Sequence, residues 1–140
     1  MTSAETAPNT TTVPTGERAD LLQMLAKHRG FLKFTVRDLS DGQATLRTTI
    51  SELTLGGLIK HVAVTERGWA NFIVGGAAGM MKDPVDWEAQ FSMREDETLA
   101  GLLAQYEEIA RWTDELVATV DLDESHPLPE APWFEPGASW

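Results

Sequence analysis

The sequence predicts an all-α bundle built on three main helices. Apolar residues recur at spacings of three and four along three separate stretches, the periodicity of amphipathic helices. Glycine, proline and capping residues separate those stretches. At 140 residues the chain is long enough for one domain around one core.

Residues 1–15 are rich in Thr, Ala and Pro and read as a disordered lead-in. They have neither a basic start nor an apolar h-region, so they do not read as a secretory signal. The helical domain is expected over residues 16–140. Its first helix is expected over 16–38, where Leu21, Leu25, His28, Leu32, Val36 and Leu39 form a bundle-type stripe widened by Leu22, Met24, Phe31 and Phe34. A turn follows, and Ser40 or Asp41 is placed to cap a short helical piece. The second helix is expected over 51–74, with Ser51 or Thr54 as cap and Gly75 and Gly76 as its end. Residues 76–96 make a long connection, either a crossover along the bundle or a pocket wall formed by Met80, Met81, Trp87 and Phe91. The third helix is expected over 97–120, capped by Asp96, with a stripe that includes Leu99, Leu102, Tyr106, Ile109, Thr113 and Val117. Residues 121–140 are acidic, and Pro127, Pro129, Pro132 and Pro136 prevent a regular helix there.

Composition excludes several functions. A formal net charge of -11 argues against a nucleic-acid partner, because phosphate binding needs a basic surface. No apolar run is long enough to span a bilayer, so no membrane partner is expected and the cytoplasm is the simplest location. With no cysteine, the chain has no disulfide, thiolate nucleophile or thiolate metal site. Any thiol chemistry would use a thiol brought in as substrate.

The most informative segment is Leu55–Trp69, where Leu55, Leu58, Ile59, Val62 and Trp69 lie on or near one helical face. His61 projects toward the edge of that face. From the residues alone, two readings of it stay open: an imidazole satisfied at the edge of the core, or a metal ligand in a bundle interior. The string Leu55-x-x-Leu58-x-x-His61-x-x-x-x-Glu66-x-x-Trp69 resembles the second helix of the DinB-like superfamily, close to its actinobacterial mycothiol-dependent maleylpyruvate isomerase branch.

The resemblance covers about residues 16–140 and implies a DinB-like four-helix bundle, up-down-down-up, with a long crossover between helices two and three. Only three main helices are legible here. The family's fourth helix begins just after a segment like Pro132-Trp133-Phe134…Ser139-Trp140, so these residues read as a truncated form. The implied activity is a metal-dependent S-transferase or isomerase using a low-molecular-weight, mycothiol-type thiol on an electrophilic substrate. The implied metal is a divalent ion (zinc, nickel or iron), with His61 as its first ligand and the other ligands on the fourth helix. Arg29 is a candidate to bind a substrate or thiol carboxylate through bidentate hydrogen bonds, and equally a candidate ion-pair partner of Asp or Glu. His28 is expected to be packed or hydrogen-bonded, His126 to be solvated, and Glu66 to pair with a Lys or Arg. The alternative to an enzyme is a non-catalytic binding or oligomerisation module, and an open apolar groove makes a homodimer the expected assembly.

Overall fold

The structure, a computed structural model, describes residues 13–140. The expected disordered lead falls largely outside the described residues. Four α-helices follow one another: α1 (Gly16–Thr35), α2 (Asp41–Ala44), α3 (Leu55–Met80) and α4 (Leu99–Thr119). A single 3-10 turn, Ala89–Phe91, interrupts the connection between α3 and α4. The three long helices match the all-α expectation, and each boundary departure has a local cause.

Helix α1 ends at Thr35 rather than residue 38. The Val36 N–H turns back to the Lys33 carbonyl and the Arg37 N–H to the Phe34 carbonyl, and Asp38 takes a left-handed φ of 60°. Ser40 caps α2 in a reciprocal capping box with Gln43. Asp41 acts further off, since its carboxylate accepts the Leu99 N–H at 2.9 Å and so sits at the positive N-terminus of α4. Thr54 caps α3 by accepting the Gly57 N–H at 3.0 Å, which starts the helix at Leu55. Thr98, not Asp96, caps α4 through the Gly101 N–H. The expectation that Gly75 and Gly76 end α3 is corrected. Gly76 does leave helical geometry (φ 65°, ψ -155°), but the helix resumes and runs on to Met80.

The core lies where α3 and α4 pack together. Ile59 and Ala63 of α3 meet Leu99, Leu102 and Tyr106 of α4, closed by Val36 and Ala44. The crossover reaches this core through a contact that two glycines permit. A Cβ at Gly57 would lie 1.8 Å from the Phe91 carbonyl oxygen, and one at Gly56 would lie 1.9 Å from Met93 Sδ. The Thr54 N–H donates to the same Phe91 carbonyl at 3.2 Å, and Lys60 pairs with Glu97 at 2.8 Å.

Leu32 packs helix α1 against the core, and polar contacts set its position. Arg29 is 7% exposed and donates to Glu66 of α3 and to Asp114 of α4, the latter at 2.7 Å. Arg18 adds a bond to the Val117 carbonyl, and Lys33 pairs with Glu107. The flank of α1 that carries Met24, Phe31 and Phe34 is exposed, with Arg37 lying over the Phe34 ring at 3.5 Å.

The segment after α4 folds back as a short antiparallel pairing, with Pro127 opposite Ser139 and two bonds joining His126 to Trp140. Trp140 stacks on Trp69 of α3 at 5.4 Å. As expected from its prolines, it forms no helix.

Four stability outcomes follow, two at the ion pairs and two at glycines. Arg29→Met leaves Glu66 buried without its partner, and should lower the unfolding free energy by about 3 kcal/mol. Asp114→Asn should cost less than about 1 kcal/mol, because Asp114 is half-exposed. Urea unfolding midpoints check both. Gly57→Ala should destabilise by about 1–3 kcal/mol, as overpacking against backbone outweighs the gain in helix propensity. Gly68→Ala, which meets nothing within 4 Å, should instead stabilise by roughly 0.5–1 kcal/mol in thermal melts.

Candidate functional site

His61 lies two turns into α3, half-buried, facing the crossover. Its Nδ1 is 2.8 Å from the side-chain oxygen of Gln90. Gln90 is 4% exposed, and its amide nitrogen donates to the Trp87 carbonyl at 3.4 Å. That second bond fixes the amide's sense: nitrogen toward Trp87, oxygen toward His61. An amide oxygen can only accept, so with this orientation the contact is a hydrogen bond when Nδ1 carries the proton. In the neutral ring the lone pair then resides on Nε2, which has no hydrogen-bond partner among the described residues. The Phe91 ring lies over the imidazole, 4.7 Å between centroids and tilted by 36°.

The Ala89–Phe91 turn presents Gln90 and Phe91 together, and Asp86 holds that turn. Its carboxylate accepts the N–H groups of Glu88 at 3.1 Å and Ala89 at 3.0 Å. These bonds, Ala89's foremost, keep the Asp86 carboxyl below its ordinary 3.8. Of the residues expected to wall a pocket here, Phe91 touches His61, whereas Met81 and Trp87 are exposed.

The remaining candidates lie elsewhere. Both carboxylates described above engage the Arg29 guanidinium. Burial lowers its pKa, but the hydrogen bonds to Glu66 and Asp114 outweigh that, so the net shift is upward and the charge is secure. Glu66 therefore has the ion-pair role expected of it. Tyr106, beside this cluster, is pushed up by burial first and by the Glu66 charge second. His28 is exposed, its ring edge-on to Phe31 at 6.0 Å, against the expectation of packing inside or hydrogen bonding. His126 departs from expectation in the other direction. It is half-buried against Phe72, and its Nε2 donates to the Ile73 carbonyl at 3.1 Å. Among the described residues no three His, Cys, Asp or Glu side chains come together as a metal-binding group. Gln90 is the site residue that sequence reasoning missed: it lies in a stretch without periodicity, far from His61 along the chain.

The Asp86 geometry predicts a pH response. Because the folded-state pKa is depressed, the capping contribution is present above the unfolded value and is lost as pH falls through the folded one. In acid titrations followed by NMR, the Glu88 and Ala89 amide resonances should move together, at a pH below 3.8. A midpoint above that value contradicts the capping geometry.

A bundle of three long helices, with a Gly-Gly helix start and an imidazole oriented on its second long helix, accords with the resemblance read from Leu55–Trp69. A family model described as Mycothiol-S-transferase matches residues 20–140. No curated protein and no solved structure gives a match. The match spans most of the chain, and the chain belongs to the mycothiol-S-transferase family of the DinB-like superfamily.

Proposed function

We propose that this chain acts in the transfer of a mycothiol-type thiol to an electrophilic substrate, with His61 as its central polar group. The observation that carries the reading is the anchoring of His61 through Nδ1, which leaves the Nε2 lone pair free. Family membership supports the thiol as co-substrate. So does the lack of cysteine, because no sulfur nucleophile comes from the chain itself.

His61 is proposed as one nitrogen donor to a divalent ion, zinc, nickel or iron. A catalytic ion of this kind takes about three protein ligands and an open position. The described residues provide the imidazole but no set of three, and so do not fit a complete site. What His61 offers is lone-pair donation at Nε2. That one lone pair can bind an ion or accept a proton, not both; with no ion on it, a thiol that yields its proton there becomes a thiolate, the nucleophile of S-transfer.

The ion pairs support a structural role for Arg29 over a substrate-binding one. Its donors already meet Glu66 and Asp114, so a substrate carboxylate would have to displace one of them. No helix among the described residues is long and apolar enough to cross a membrane.

A second reading, a non-catalytic module that pairs with another copy, is favoured by one observation: Met24 (51% exposed) and Phe31 (58% exposed) on the open flank of α1. A thiol-conjugation assay separates the two. Consumption of mycothiol by a model electrophile, with zinc or nickel present, should be accelerated by the wild-type protein. It should fall about 100-fold or more in His61→Ala at unchanged helicity. Equal rates in the two proteins refute the catalytic reading.

A further inference from the structure

We infer that Gln90 is a positioning residue, holding the His61 proton on Nδ1 so that Nε2 presents its lone pair. The inference rests on the proposed role of His61 and deepens it. Three features of the site carry it.

First, the amide cannot turn over without loss. Reversing it would set the Gln90 oxygen against the Trp87 carbonyl; even if the imidazole changed tautomer to accept from the turned NH2, the Trp87 bond would be lost and replaced by a repulsive pair. At 4% exposure, Gln90 has almost no water to compensate either one.

Second, the ring cannot easily leave. Phe91 covers one face of the imidazole, and Phe91 is fixed by the close approach of its own backbone to Gly57. The glycine pair at the start of α3 thus has a consequence one turn further on: it brings the turn bearing Gln90 within hydrogen-bond reach of His61.

Third, the opposite tautomer has no support here. With the proton on Nε2, the Nδ1 lone pair would face the Gln90 oxygen, acceptor against acceptor.

The test reads the tautomer directly, in metal-free protein. Two-bond 1H–15N correlation spectra are recorded at about pH 8, where an ordinary imidazole is neutral. Wild type should show His61 protonated at Nδ1. Gln90→Glu keeps an acceptor oxygen toward Nδ1, though its second oxygen loses the bond to the Trp87 carbonyl, and should keep the proton on Nδ1. Gln90→Leu removes the acceptor at similar volume and should shift the population toward Nε2–H. The inference is overturned if wild type carries the proton on Nε2, or if Gln90→Leu keeps the wild-type tautomer. It is also overturned if Gln90→Glu loses that tautomer, so the test stands even where the leucine variant folds poorly. Zinc titration of the same proteins addresses the ligand role: Gln90→Leu should weaken zinc binding about tenfold or more, with Gln90→Glu close to wild type. A wild type that binds no zinc yet keeps Nδ1–H overturns the ligand role of His61, and supports the orientation assigned to Gln90.

Discussion

The buried guanidinium of Arg29 is the constraint on which the arrangement of the long helices depends. Helix α1 contributes only one side of itself to the bundle, and that side is thinly apolar: Leu22, Leu25 and Leu32 are half-buried, and Arg29 occupies its middle. A charge there is costly unless its donors are met from the neighbouring helices. Glu66 meets them from α3 and Asp114 from α4, so one side chain ties three helices at one level. Apolar contacts tolerate sliding along a helix, but a guanidinium between two carboxylates does not. The cluster's contribution is therefore register, and an apolar replacement of all three residues need not cost stability.

With α1 held at that level, the crossover has its own fixed point. Gly56 and Gly57 remove the side chains that would keep Phe91 and Met93 away from α3. Backbone meets helix there, and the Thr54 N–H is satisfied by Phe91 as a result. The turn carrying Gln90 then lies beside His61 because the chain has been pinned one helical turn earlier. Asp86 completes the arrangement from the other side by capping that turn. Packing, backbone satisfaction and imidazole orientation are thus consequences of one two-glycine approach.

How much of this the sequence shows depends on the range of the interaction. The three long helices are legible because their stripes are local and periodic, and His61 stands out because it interrupts one of them. Ser40 and Thr54 are legible as caps for the same reason, since each bonds to a backbone N–H three residues on. Asp96 was the wrong cap because Thr98, two residues later, reaches the Gly101 N–H. What sequence does not expose is the long-range partner. Nothing in the spacing of Gln90 or Asp41 says that one faces His61 and the other the start of α4. The Gly56-Gly57 pair reads as part of a motif, and its reason becomes visible only when the crossover lies against it.

Gly76 and His126 show the same limit at the far end of α3, and they explain each other. A φ of 65° with ψ of -155° is backbone that a residue with a side chain rarely adopts. The ring of His126 packs in van der Waals contact with the place where a Cβ would project, its Nδ1 3.4 Å from that position. Its Nε2 reaches back to the Ile73 carbonyl, just before the break. Sequence offers a glycine and, fifty residues on, a histidine before a proline; each alone suggests a helix end and a solvated tail. Together they form a kink closed by the segment that folds over it. The Trp69–Trp140 stack holds that segment down, and a cleft of about 230 Å³ opens between Phe72, Val117 and His126. Helix α3 therefore has two differently built halves. Its first half is smooth enough for backbone contact and holds the oriented imidazole. Its second half is broken, and depends on non-helical chain to complete its hydrogen bonding.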